Sequence, residues 1–161
     1  MTDASNYSLS QIELQRLAEF RFQLRRFLHF SQAAAERGGV RAQQYQLLLC
    51  ISGMPDGVDP TIANVAERML LKHNSAVELV DRTLEQGLLR RFADPFDQRR
   101  IRLVPTPKGE QLIASLAGYH IEELEQTGPE LIRALRQVLN ARASQEEAAP
   151  IDMKPISGSE V

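Results

Sequence analysis

Between Thr61 and Thr106 the apolar period of the chain changes from helical to strand-like, with room only for short connections. Ile62, Val65, Ala66 and Met69 recur at three- and four-residue spacing behind Thr61, a good N-cap, and predict a helix. A short break at Leu71–Asn74 precedes a second helix that reaches about Gln86 and is capped by Gly87. That helix puts Ala76, Leu79, Val80, Thr83 and Leu84 on one side and Asn74, Ser75, Glu78 and Arg82 on the other. Leu88–Phe92 and Arg100–Val104 then read as paired strands, with Ala93–Arg99 as the hairpin tip and Asp94-Pro95 as its turn signal. Two helices joined by a tight turn and followed by a hairpin make a winged helix-turn-helix.

The flanks are helical. Ser10 and Glu13 have the spacing of a capping box, and Leu17, Phe20, Leu24, Phe27 and Leu28 follow on one stripe until Gly38-Gly39. A helix over 10–37 would be roughly 40 Å long. Leu14, Phe22 and Phe30 lie off the stripe, so the helix needs more than one partner, which points to a subunit interface. Ala42–Ser52 forms the next helix, with Tyr45, Leu48 and Leu49 inward, and Gly53–Pro60 is a loop. Thr106 is an N-cap and Pro107 a first helical residue. The helix they open runs to about Gln126, Gly128-Pro129 breaks it, and a sixth helix carries Leu131, Ile132, Leu135, Val138 and Leu139. The expected fold is mainly α with a small β-hairpin wing and six helices. Residues 1–142 form one domain, in which 61–105 are the winged lobe and 10–37 and 106–142 the dimerisation helices. Residues 143–161 read as a polar, flexible tail.

Charge is distributed unevenly. The chain carries −2 overall, but residues 61–110 hold nine Lys/Arg against seven Asp/Glu, and residues 111–161 hold four against eight. Net charge alone would not point to nucleic acid. The single cysteine excludes an intrachain disulfide, and Cys50, at the end of an apolar run, reads as a small buried hydrophobe. The start of the chain has no signal-peptide pattern and no segment is apolar enough to span a bilayer, so the expected location is cytoplasmic. His29, His73 and His120 lack partners at metal-ligand spacing, and no nucleophile elbow, phosphate loop or dinucleotide fingerprint is present. The chain reads as a binding protein with no metal or cofactor, and it leaves no room for a catalytic domain.

The predicted lobe suits DNA. Its second helix is slim enough for a major groove about 12 Å wide, and the free amides at that helix's start favour phosphate. Lys72 and Arg82 are candidate phosphate contacts, or surface ion-pair partners such as Arg82 with Glu78. Asn74 and Ser75 either read bases or cap the helix, and His73 either touches the backbone or is incidental. At the tip, Arg99 and Arg100 either contact DNA or are solvated charge, with Asp97 orienting Arg99.

The stretch Thr61–Gly109 resembles the MarR family. The matching pieces are residues 61–67 (TIANVAE), Leu79-Val80-Asp81-Arg82, Gly87-Leu88 and Asp94-Pro95, followed by Asp97, Arg99 and Thr106-Pro107-Lys108-Gly109 at the wing spacing of that family. The flanking helices also match, over roughly residues 10–142. Three positions depart. Pro105 replaces a usual Leu, Lys72-His73-Asn74-Ser75 replaces a Ser-Pro-Ser-Thr type start, and Val77 replaces a small polar residue, which allows an apolar contact to a thymine methyl. The resemblance implies a homodimer through the first, fifth and sixth helices, bound to a palindromic operator in double-stranded DNA. It also implies a repressor released by a small, often aromatic, effector. Phe20, Phe27 and Tyr45 are the candidate effector-pocket residues, or simply core. The alternative is a winged-helix module that binds protein or RNA without reading DNA sequence.

Overall fold

The computed structural model describes residues 9–93 and 101–146, with side chains to residue 140. Its elements are α1 (Gln11–Arg37), α2 (Ala42–Ser52), α3 (Ile62–Arg68), α4 (His73–Glu85), β1 (Leu89–Ala93), β2 (Ile101–Pro105) and α5 (Pro107–Glu146). The chain divides into two compact units: residues 26–126, and the residues up to Arg25 together with those from Thr127 onward.

Local chemistry sets the helix ends. At the start of α1 the Ser10 amide donates to Glu13 Oε2 at 2.8 Å and the Glu13 amide donates to Ser10 Oγ at 3.2 Å, the reciprocal pair of a capping box. Three helices stop by one geometry, in which an i+5 and an i+3 amide fold back onto the last turn. The donors and acceptors are Val40 on Ala35 and Gly39 on Glu36 after α1, Leu71 on Ala66 and Leu70 on Glu67 after α3, and Leu88 on Thr83 and Gly87 on Leu84 after α4. The i+3 donor must take a left-handed backbone conformation. Gly39 (φ 79°) and Gly87 (φ 69°) do so without strain, whereas Leu70 (φ 54°) carries a β-carbon into that region while staying 93% exposed.

The core of the 26–126 unit joins every element. Ala34 and Ala35 from the end of α1 meet Tyr45, Leu47, Leu48 and Ile51 of α2, Val65 of α3, Leu79 and Val80 of α4, Leu89 and Leu103 of the hairpin, and Leu116 of α5. On α2 the inward positions are Tyr45, Leu47, Leu48 and Ile51. Leu49, expected inward, is 44% exposed because it lies about 100° round the helix from Leu48. Cys50 is half-buried rather than fully enclosed. His120 of α5 is buried: its Nε2 sits 2.7 Å from Ser31 Oγ, its Nδ1 faces the Leu116 carbonyl, and its ring stacks on Tyr45 at 4.9 Å between centroids. Phe27 and Phe30 meet the same ring edge-on.

The strands pair antiparallel with Leu89 opposite Pro105, Arg91 opposite Leu103 and Ala93 opposite Ile101. β1 starts one residue later than its apolar pattern suggests, and Pro105 closes β2 as its last residue, where a missing N–H costs least. The hairpin is tied back at three points. The Leu103 amide donates to the Pro60 carbonyl at 2.9 Å, Arg102 Nε pairs with Asp59 at 3.2 Å, and Arg91 of β1 pairs with Asp81 of α4 at 2.7 Å.

In the other unit Gln23 and Ala134 are buried, while Ile12, Leu17, Leu24, Ile132, Leu135 and Leu139 remain exposed. The expected break at Gly128-Pro129 is absent, so five helices, not six, are present among the described residues, and α5 passes Arg142 and is described as far as Glu146. Pro129 withholds one amide from the Glu125 carbonyl. Strong helix formers on both sides, such as Glu122–Glu125 and Glu130–Leu135, carry the helix through it.

Two outcomes follow from these arrangements. Leu70→Asn places a residue that tolerates left-handed backbone where no burial is lost, so it should raise stability by about 0.5–1 kcal/mol in denaturant unfolding. Burial pushes the Tyr45 phenol above its ordinary 10.0. Above about pH 10 the unfolded chain therefore binds fewer protons than the folded one, and stability falls as pH rises through that range. Tyr45→Phe should remove this part of the alkaline slope in unfolding curves taken between neutral pH and about pH 11.

Candidate nucleic-acid interface

α4 has two unlike sides. Ala76, Leu79, Val80 and Thr83 are buried, and the Thr83 hydroxyl donates to the Leu79 carbonyl at 2.7 Å. Lys72, His73, Asn74, Ser75, Glu78 and Arg82 are exposed, and Val77 is half-buried beside them. The structure thus gathers the six residues singled out from the sequence onto one open surface. Arg82 Nε donates to the Glu78 carbonyl at 3.2 Å, which holds that side chain along the helix.

The start of α4 differs from those of α1, α3 and α5 and shares with α2, whose N-cap is Arg41, the lack of a side-chain cap bond. α1 is capped by Ser10, α3 by Thr61, whose hydroxyl accepts from the Asn64 amide, and α5 by Thr106, whose hydroxyl accepts from the Gly109 amide. Lys72, the N-cap of α4, has an extended backbone and no side-chain cap. Asn74 and Ser75 lie inside the first turn, so they do not serve as the cap. The first amides of α4 thus have no side-chain acceptor at the N-cap, and the positive end of the helix dipole lies at an exposed cationic residue, Lys72.

The far end of α4 is clamped. Gln86, Gly87 and Leu88 offer their carbonyls to Lys108 Nζ (3.0 Å), Thr106 Oγ (2.6 Å) and the Thr106 amide (3.0 Å) respectively. Gly109 makes this approach possible, because a β-carbon there would stand 2.2 Å from the Leu88 oxygen. The Thr-Pro-Lys-Gly run therefore has a mechanical role that its sequence does not spell out: it fixes where α4 ends and where the wing begins.

Asp97, Arg99 and Arg100 lie outside the described residues. The described part of the wing adds exposed arginines that the sequence pattern does not single out. Arg91 shares a face with Leu89 and Leu103 and reaches Asp81, while Arg90 stands on the opposite face. The adjacent pair in a five-residue strand is the signal that could have found them. Of the three effector-pocket candidates, Tyr45 is buried and Phe27 half-buried, both against His120, and Phe20 is half-buried in the other unit. Among the described residues, no three His, Cys, Asp or Glu side chains are grouped to hold a metal ion, and no helix is long and apolar enough to cross a membrane.

Residues 38–100 match the model of the MarR family. The match covers less than half of the chain. It takes in the turn after α1, the uncapped α4 and β1. No curated protein matches the chain. Among solved structures, the fold seen here is similar to that of a MarR family transcription regulator (21% identity, 84% of this chain and 91% of that chain, TM-score 0.65). It is also similar to AbsC, a MarR family transcriptional regulator from Streptomyces coelicolor (17% identity, 89% and 100%, TM-score 0.66). A third likeness is to S. aureus MepR in complex with DNA (19% identity, 80% and 96%, TM-score 0.55). At these identities the likeness is one of fold.

Gly109→Ala forces a β-carbon into a backbone oxygen and should cost about 1–3 kcal/mol, the range typical of overpacking. Chemical denaturation would measure it. Gly118→Ala, on the same helix with nothing within 4 Å of its built β-carbon, is the control and should not destabilise.

Proposed function

We propose that this chain is a homodimeric transcription regulator that binds double-stranded DNA by placing α4 in the major groove. The observation that carries the reading is α4 itself: one side locked into the core, the other an open row of six polar residues, and an N-terminus left without a side-chain cap. In this reading Lys72 and Arg82 hold phosphates. Asn74, Ser75 and Glu78 face base edges, where the amide of Asn74 suits adenine and the carboxylate of Glu78 suits the cytosine amino group. Val77 can lie against a thymine methyl. Arg99 and Arg100, with Asp97 orienting Arg99, extend the contact from the wing. MepR, whose fold is similar, has been captured on DNA, which supports the same use here.

Dimerisation is supported by the second unit, where a run of exposed Ile and Leu side chains on the first half of α1 and the last part of α5 awaits a cover. Two copies would set two α4 helices about 34 Å apart, on a two-fold symmetric site. The MarR resemblance supports a repressor whose grip a small effector relaxes.

Selection of bound genome fragments, followed by titration at two salt concentrations, tests the reading. It should return a two-fold symmetric site bound with a dissociation constant of about 10 nM, weakening steeply with salt. Lys72→Ala should weaken all sequences alike and lower the salt slope by about one for each phosphate that is no longer neutralised, whereas Glu78→Ala should relax preference at one base pair of each half-site. Absence of any enriched site would overturn the DNA reading in favour of a winged helix that binds protein or RNA. Repression is checked separately, by whether the chain lowers transcription in vitro from a promoter carrying the selected site.

A further inference from the structure

An open depression of about 500 Å³ lies between the end of α2 and the end of α3, within the 26–126 unit. Gln46, Leu49, Cys50, Arg68, Met69 and Leu70 line it. The same two helices send Leu47, Leu48, Ile51 and Val65 into the core, so the depression gathers apolar side chains that the core does not enclose. Cys50 and Met69 are half-buried, while Leu49 and Leu70 stand out into water. Nothing in the fold requires a leucine at position 70. Its side chain is almost wholly hydrated, and its backbone takes a left-handed conformation that Gly or Asn adopts at less cost.

Shape and charge select the occupant. A small molecule needs most of its surface enclosed, and a depression whose two leucines project into water does not enclose one. It suits a peptide segment instead, which lays apolar side chains into a groove at regular spacing. Arg68 is the one formally charged side chain among the described lining residues. It is exposed, and among the described residues no ion pair or hydrogen bond engages its side chain. A guanidinium beside an apolar contact favours a carboxylate, which it can hold by two parallel bonds. A nucleic-acid backbone is held by several cations and gains nothing from exposed leucines, so the α4 row and this depression call for different partners.

We propose that this depression docks a short acidic segment of a partner protein, with apolar side chains on Leu49, Met69 and Leu70 and a carboxylate on Arg68. Phage display tests it: random peptides of about 12 residues are selected on the full, DNA-free chain and counter-selected on Leu70→Asn. That variant relieves backbone strain, so its loss of binding is not loss of fold. Enriched sequences should share a pair of apolar residues and a net negative charge. A synthetic peptide of the leading sequence should bind with a dissociation constant of about 10–100 μM by fluorescence anisotropy, and Leu70→Asn should weaken it about tenfold. Arg68→Glu should weaken it by a similar factor. A second peptide with lysines in place of the acidic residues should bind Arg68→Glu more tightly than the parent chain, an exchange that a merely structural role for Arg68 does not produce. Absence of any enriched family would overturn the proposal. So would enrichment of basic or uncharged sequences, equal affinity for Leu70→Asn, or no preference of the lysine peptide for Arg68→Glu. Because no DNA is present, such a failure leaves the DNA-binding reading untouched, and a missing operator leaves this surface untouched.

Discussion

Three consecutive carbonyls, those of Gln86, Gly87 and Leu88, are taken up by Thr106 and Lys108, and the rest of the arrangement follows from that grip. The grip ends α4, starts β1 and opens α5 in one place. Each bond is ordinary in strength, worth about 1 kcal/mol net. Their effect comes from sharing one short turn whose backbone approaches Gly109 too closely for any side chain.

The division of α4 into a fixed and an open side explains how a chain with a net charge of −2 can present a surface suited to phosphate. Acid is concentrated towards the C-terminal part, while the α4 row and the strand that follows hold Lys72, Arg82, Arg90 and Arg91. Of these, Arg91 is spent on Asp81 across about half-exposed surface, an interaction worth under about 1 kcal/mol. Its value is geometric: it sets the strand against the helix.

Much of this was legible in the sequence because it depends on local chemistry. The Ser10–Glu13 box, the glycines after α1 and α4, the inward set Ala76, Leu79, Val80 and Thr83, and the Thr106 cap each follow from short-range rules. What was not legible depends on partners distant in the chain. Pro129 reads as a stop because it lacks a donor, yet a single missing bond does not outweigh the helix on either side. Leu49 reads as core because it continues an apolar run, but α2 turns it outward. His120 gave no pattern at all. Its burial depends on Ser31, Tyr45 and the two phenylalanines, all from elements far away in sequence. Lys108 reads as a helix-start cation, and only the fold shows that it reaches back to Gln86.

The three matching helix ends differ in one respect that matters over time rather than in the average structure. After α1 and α4 the left-handed position is a glycine and the turn is at rest; after α3 it is Leu70, with its side chain almost wholly in water. Local opening there relieves strain instead of creating it, so among the three turns the α3 end opens at the lowest free energy. The amides of Leu70 and Leu71 then exchange their hydrogens with solvent before those of Gly39 and Val40 or Gly87 and Leu88. That breathing point directly precedes Lys72 and the uncapped start of α4. The same helix is thus more adjustable at its open start than at its clamped end.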